Sequence, residues 1–218
     1  MIYSSMECKI FLFGASGKMG SCFGALVSQT PPFSLTSDPA RADAFVDFSV
    51  ASALEDHLAL ALRHKQPLVI GTTGHAEGLL ERLQTASFEI PLFLSYNFSL
   101  GAALFIETLS RFKRHFPKNT MIAIEECHHL SKRDAPSGTA LKLAQALDFP
   151  PEKIRSERKE EIVGIHEVRL TSGGESILFR HEAASREVFA QGALSALRFI
   201  LKKTPGLYTM EDLIHAKS

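Results

Sequence analysis

The chain has 218 residues, 45% of them hydrophobic, enough for one large domain or two small ones with a real core. Its 24 basic and 24 acidic side chains cancel, so no long-range field favours nucleic acid or an anionic membrane as partner. Three scattered cysteines make no disulfide framework, the apolar runs are too short to cross a bilayer, and no signal-peptide pattern opens the chain, so a cytoplasmic protein is expected.

KIFLF (9–13) is a short apolar run closed by Gly14 and reads as a buried strand. GASGKMG follows, and a helix-compatible segment continues to about Gln29, where Pro31 and Pro32 end it. Residues 33–44 are turn-rich and hold at most a brief strand. AFVDFS (44–49) is again strand-like. From Ser52 the apolar positions Leu54, Leu58, Ala61 and Leu62 recur at helical spacing. PLVIGTTG reads as strand into loop, HAEGLLERLQTA as a helix and IPLFLS (90–95) as a strand. Strands alternating with helices imply parallel pairing and a sheet covered on both faces.

YNFSLG (96–101) breaks that rhythm. An amphipathic segment runs from Ala102 to about Phe116, and TMIAIEE (120–126) is a strand leading into HHLSKRDAPSGTA. A helix over LKLAQAL comes next. IVGIHEVRLTSGGESILFRHEA (162–183) has two β-like runs around a Gly-Gly turn, the mark of an antiparallel hairpin. REVFAQGALSALRFILKK is a long helix. Thr209, with Asp212 three residues on, caps a last short one.

The expected fold class is α/β. An N-terminal Rossmann-like parallel-sheet domain spans residues 1–98, with helices from 187–218 packing back on it. A smaller α+β domain spans 99–186.

Gly14, Gly17 and Gly20 stand at GxxGxxG spacing between the first strand and the first helix. Glycines there let the backbone turn tightly and approach a pyrophosphate, while the helix start supplies N–H donors and positive dipole charge. Alone the pattern is weak, because glycines also serve plain turns. About twenty residues on, Asp38 suits a ribose 2′-hydroxyl and Arg41 a 2′-phosphate. A solvated loop explains both equally well, so the spacing does not choose between NADH and NADPH. Two more strand-end loops, Asp47–Ser49 and Gly71–Gly74, fall on the same edge, where Thr72 and Thr73 add small hydroxyls.

In HHLSKRDAPSGTA, Ser137 after Pro136 is a good N-cap, and Gly138 and Thr139 then open a helix with donors for an anion. Lys132 adds positive charge. Histidines and a lysine beside an anion cradle suit a carboxylate substrate that must gain or lose a proton. Bland readings compete: the histidines as strand ends, and Lys132, Arg133 and Asp134 as a solvated turn. No metal is expected, because Cys127, His128 and His129 are adjacent on a strand and cannot all face one ion.

EECHHLSKRDAPSGTA resembles the signature of the dihydrodipicolinate reductase (4-hydroxy-tetrahydrodipicolinate reductase) family, E-x-H-H-x-x-K-x-D-A-P-S-G-T-A. GASGKMG, VDFS, GTTG, YNFS, GIHEVR and AASREVFAQGAL also look like family motifs in the family's order. The resemblance implies a homotetramer that uses NADH or NADPH to reduce a cyclic dicarboxylate on the diaminopimelate route to lysine, with the smaller domain serving substrate binding and oligomerisation. It implies His128 as catalytic acid/base and Lys132 as proton donor. His129, Gly138 and Thr139 match positions that hold the substrate carboxylate, and Ser137 joins them as the start of the same turn. Gly14, Ala15, Ser16, Gly17, Lys18 and Met19 match the pyrophosphate loop, while Asp38 stays the ribose candidate from its spacing alone. Gly71, Thr72, Thr73, Ser95, Tyr96, Asn97 and Phe98 match the loops around the nicotinamide. Two departures stand out: the second strand and its crossover are compressed into 31–44, and the hairpin after Arg169 is shorter than the family's. A dehydrogenase of another small carboxylic acid and a non-catalytic dinucleotide-binding regulator are the competing functions.

Overall fold

A computed structural model describes residues 7–74 and 78–216. In chain order the first elements are β1 (Cys8–Phe13), α1 (Lys18–Ser28), β2 (Phe33–Leu35), β3 (Ala44–Asp47), α2 (Leu54–His64), β4 (Leu68–Ile70), α3 (Leu79–Ala86) and β5 (Pro91–Leu94). Then come α4 (Leu100–Phe112), β6 (Met121–His128), α5 (Gly138–Leu147), β7 (Arg155–Arg158), β8 (Gly164–Ser172) and β9 (Glu175–Ala183). The last are α6 (Glu187–Ile200), β10 (Gly206–Tyr208) and α7 (Met210–His215). The chain divides into two compact units. One takes it up to Phe98 and again from Phe189; the other is Ser99–Val188.

In the first unit six parallel strands form one sheet in the order β10-β5-β4-β3-β1-β2. The central strands β3 and β4 are buried at every position, as strands covered on both faces must be, and are apolar except for Asp47 at the end of β3. Phe45, Leu68, Ile70 and Leu92 meet Leu54, Leu58 and Leu83 from α2 and α3 in one cluster. α1 lies close to the loop after β1 because Gly20 has no side chain. A Cβ there would stand 2.0 Å from the Gly14 carbonyl oxygen. The Thr209–Asp212 capping box forms as its spacing predicts and opens α7.

The second unit has a four-stranded mixed sheet in the order β7-β6-β8-β9. β6 runs parallel to β7 and antiparallel to β8, and β8 and β9 form the hairpin across Gly173-Gly174. Both glycines have positive φ, 58° and 85°, as a tight two-residue turn requires. α4 and α5 cover one face through Leu109, Leu143, Ala144 and Leu147, packed on Ile124, Val168 and Leu170.

Two strands carry no sequence signal. β7 is RSER, all polar, and β10 is the three residues GLY. Each exists because a neighbour offers a pairing edge, β6 for one and β5 for the other. The amphipathic run to Phe116 also breaks early: α4 ends at Phe112, and Lys113–His115, three consecutive basic residues, tighten into a 3-10 turn. In the helix expected over HAEGLLERLQTA, residues 75–77 lie outside the described residues, and α3 begins at Leu79.

Candidate functional site

In the first unit the carboxyl ends of β5, β4, β3 and β1 are neighbours, so the loops after them share one edge. Gly14 turns the chain at φ 74°, and a Cβ there would meet the Phe48 carbonyl at 2.6 Å and the Ser49 amide at 2.7 Å. The glycine loop is thus pressed onto the VDFS loop. Ala15, Ser16 and Gly17 follow, and Lys18 and Met19 form the first turn of α1. Gly17 is the N-cap and makes no side-chain cap bond, so no capping side chain occupies the helix start. That arrangement fits a pyrophosphate at α1.

Asp47 braces the neighbouring loop. Its buried carboxylate accepts from the Ser49 amide (2.8 Å) and hydroxyl (2.6 Å), and His57 Nδ1 lies 2.8 Å from its other oxygen. The His57 ring stacks on Phe13 at 3.7 Å. Gly71 makes room for aromatic packing: a Cβ there would lie 2.4 Å from the Phe48 ring and 3.0 Å from the Phe98 ring. Thr72 is buried and Thr73 exposed. In the YNFS loop the Ser95 hydroxyl donates to the Asn97 carbonyl (2.7 Å) and accepts from the Asn97 amide (3.2 Å). Tyr96 is exposed, whereas Phe98 is buried against Phe48 and Phe93. Ser95 and Phe98 therefore use their side chains to shape the loop. Asp38 is exposed, and its carboxylate caps the Pro39–Arg41 turn by accepting from the Ala40 amide at 3.0 Å.

In the second unit the period of two along β6 puts Ile124, Glu126 and His128 on the buried face, with Cys127 on the other. His129 leaves the strand, and Ser131 Oγ lies 2.9 Å from its Nδ1. Lys132 pairs with Asp134 at 2.8 Å. Burial pushes the Asp134 carboxyl up, but the hydrogen bond and charge of Lys132 outweigh it and hold it below its ordinary value. Ser137 caps α5 by accepting from the Ala140 amide at 3.3 Å, and Gly138 and Thr139 form the first turn. Strand, turn and helix start thus bring His128, Lys132 and the α5 N-terminus into one segment, as its spacing predicts.

Sequence spacing did not reveal what surrounds His128. Glu126, two residues before it, bonds its Nδ1. Arg158 from β7 donates to the other Glu126 oxygen at 3.0 Å and to the Lys132 carbonyl at 3.3 Å, and it also bonds the Asp134 carbonyl. From β8, His166 stands directly opposite Glu126 in the ladder, its ring 5.0 Å from that of His128. Its Nε2 lies 3.1 Å from the Ser137 hydroxyl. From β9, His181 stands opposite His166, and its Nε2 lies 3.1 Å from the hydroxyl of Ser99, the N-cap of α4. Two helix N-caps thus rest on histidines of one cross-strand row. Gly164 completes the site: a Cβ there would lie 3.1 Å from His128 Nε2.

Charge is divided sharply within this cluster. Burial pushes the Glu126 carboxyl up, but hydrogen bonds from His128 and Arg158 overcome it and hold the group down at about 2. Burial, then the charges of His128 and His181, push His166 down to about 3, so it is neutral at working pH. Burial also lowers His181. Glu126, His128 and His166 bring possible metal-ligating atoms within 4.8 Å of one another. Glu126 already gives one oxygen to His128 and the other to Arg158, so a cation there must displace a guanidinium.

A parallel sheet opened by a glycine turn, followed by a mixed-sheet unit rich in proton carriers, defines a Rossmann-class α/β oxidoreductase architecture. Two family models match in succession: "Dihydrodipicolinate reductase, N-terminus" over residues 34–98 and "Dihydrodipicolinate reductase, C-terminus" over 101–214. The chain belongs to the dihydrodipicolinate reductase family. It is 36% identical to the 4-hydroxy-tetrahydrodipicolinate reductase of Alkaliphilus oremlandii (strain OhILAs), with 94% of this chain and 98% of the relative covered. It is also 36% identical to the enzyme of that name from Bdellovibrio bacteriovorus, with 97% and 98% covered. A solved dipicolinate-bound dihydrodipicolinate reductase from Paenisporosarcina sp. TG-14 shares the fold at TM-score 0.78 and 20% identity, covering 94% of this chain and 98% of that one. The first alignment spans 236 positions against 218 residues here, so gaps fall within this chain.

Proposed function

We infer that this chain reduces 4-hydroxy-tetrahydrodipicolinate to tetrahydrodipicolinate with loss of water, on the diaminopimelate route to lysine. The observation that carries this reading is the β6–turn–α5 segment, which places an imidazole, an ammonium and a helix start together. It does so in a chain aligned end to end with relatives named for that reaction.

NADH or NADPH supplies the hydride when bound, and the protein supplies placement and protons. Gly14, Ala15, Ser16, Gly17, Lys18 and Met19 hold the pyrophosphate at α1; the uncapped Gly17 supports this. Gly71, Thr72, Thr73, Ser95, Tyr96, Asn97 and Phe98 form the loops beside the nicotinamide, and Asp38 stands at the ribose. The ring that accepts hydride builds up electron density, which a positioned acid must quench. His128 is the acid/base and Lys132 the proton donor. One substrate carboxylate competes with Asp134 for Lys132 and lies against His129 and the Ser137–Gly138–Thr139 turn. The proton balance is one hydride, one proton and one departing water per ring.

The protein acts in the cytoplasm on a small dicarboxylate. No described helix is long and apolar enough to cross a membrane. It assembles as a homotetramer through the sheet of the second unit; exposed Ile177 and Leu178 on the edge strand β9 support that.

The test is oxidation of NADH and NADPH, run side by side, with substrate made in situ from pyruvate and aspartate semialdehyde by the preceding synthase. Oxidation that depends on the synthase is the expected result. Oxidation with other small carboxylic acids but not with this substrate would replace the assignment.

A further inference from the structure

We propose that Glu126 is a positioning residue for the reaction. It acts through His128 by holding the proton on Nδ1, so that Nε2 is always the nitrogen that exchanges a proton with the substrate. Arg158 ties this pair to the turn that carries Lys132. The proposal rests on the reading of His128 as the acid.

The register puts the parts in place. Glu126 and His128 share the buried face of β6 because they are two residues apart. β7 pairs Arg158 with His128, and β8 pairs His166 with Glu126, so both neighbours arrive by ladder geometry. The Glu126 side chain is fully buried, and a lone carboxylate there would be too costly to keep charged. Arg158 supplies the compensating charge. An ionised carboxylate can only accept, so the His128 nitrogen facing it must carry hydrogen. That fixes the tautomer, as second-sphere carboxylates do for catalytic and metal-bound imidazoles.

Among the described residues, the charged and titratable groups around His128 fit this division. Glu126 lies on its own strand, Arg158 on β7, neutral His166 on β8, and Lys132 with Asp134 on the following turn. Among the described residues, only Glu126 accepts from Nδ1. Gly164 keeps the ring from being displaced, since a Cβ would crowd Nε2 at 3.1 Å.

Arg158 does a second thing. The same guanidinium that meets Glu126 bonds the backbone carbonyls of Lys132 and Asp134. The proton donor's turn is therefore anchored to the carboxylate that orients the imidazole. Arginine presents five donors in a rigid planar fork that can span acceptors on separate elements, whereas lysine offers three on one compact ammonium.

Two measurements test this. Nitrogen NMR on the unaltered protein, labelled at histidine and assigned with His128→Asn, should show Nδ1 of His128 protonated throughout the neutral range. A bare Nδ1 there overturns the proposal and needs no mutant to fold. In Glu126→Gln the amide oxygen can still accept from Arg158, but the amide NH2 can donate to Nδ1 and favour the wrong tautomer. A loss of tautomer control of this kind should lower kcat ~10²-fold or more, with substrate KM and dinucleotide Kd within about threefold of the parent. A folded Glu126→Gln enzyme with kcat within about threefold of the parent would also overturn it. If the unaltered enzyme does not turn over the dicarboxylate at all, the functional reading falls, while the NMR result still decides the tautomer.

Discussion

Single side chains divide the chemistry here, and their replacement should separate chemistry from binding. His128→Ala and Lys132→Ala each remove a proton carrier from the second unit and leave the glycine loop of the first untouched. Each should lower kcat ~10²–10⁴-fold, the usual worth of a positioned acid or base. NADH and NADPH titrations should give dissociation constants like the parent's. Near-parental turnover in both variants would remove the catalytic assignment. At this scale His128, Lys132, Ser137 and Gly138 were legible because one unbroken segment carries them. Arg158, His166, His181 and Gly164 were not. They come from β7, β8 and β9, and only the strand register brings them to β6. Glu126 is the intermediate case. Its spacing from His128 already puts both on one face of a strand, but nothing in the spacing says that the face is buried or that a guanidinium waits there.

Among the elements, the β1–loop–α1 unit depends on a position with no room for a side chain. Gly20→Ala drives a methyl to within 2.0 Å of the Gly14 carbonyl oxygen, a backbone atom that cannot step aside cheaply. Such overpacking costs ~1–3 kcal/mol and must push α1 away from the loop. A lower melting temperature together with weaker dinucleotide binding is expected, read by thermal unfolding and by cofactor titration. An unchanged melt would mean that helix and loop are not held in this contact. Elements with strong period or capping signals were legible, such as β1, β3, β4, α2 and the Thr209 capping box. β7 and β10 were not, because a polar tetrapeptide and a three-residue strand are made by their neighbours' free edges rather than by their own side chains.

Across the whole molecule, buried groups among the described residues, chiefly His166 and Glu126, make stability depend on pH in the same direction. Folded His166 titrates near 3 against an ordinary value of 6.5, so between those values the unfolded chain binds a proton that the folded one refuses. Folded Glu126 titrates near 2 against 4.5, so its stabilisation is present above 4.5 and is lost as the pH falls toward 2. Both terms weaken the fold in acid. The first acts from about pH 6.5 downward and the second joins below about 4.5. Urea unfolding at a series of pH values should show this decline in the parent. His166→Gln should lessen it between pH 6.5 and 4.5, where Glu126 does not yet act and buried His181 keeps a share of the decline. Parallel curves for the two proteins in that window would show that His166 is not held neutral by burial.

The sequence by itself determined the class of each unit, the order of most elements and the segment that carries His128 and Lys132. Those follow from local rules: side-chain period, glycine turns, caps and an uninterrupted motif. Tertiary structure decided which groups surround His128 and in what charge state. An imidazole's tautomer, a carboxylate's ionisation and a histidine's neutrality depend on burial and on partners far away in the chain. Glu126 and Arg158 are separated by 32 positions, and His166 and Ser137 by 29. Such distances close only when strands pair, and the resulting loss of water is what makes each charge need its partner.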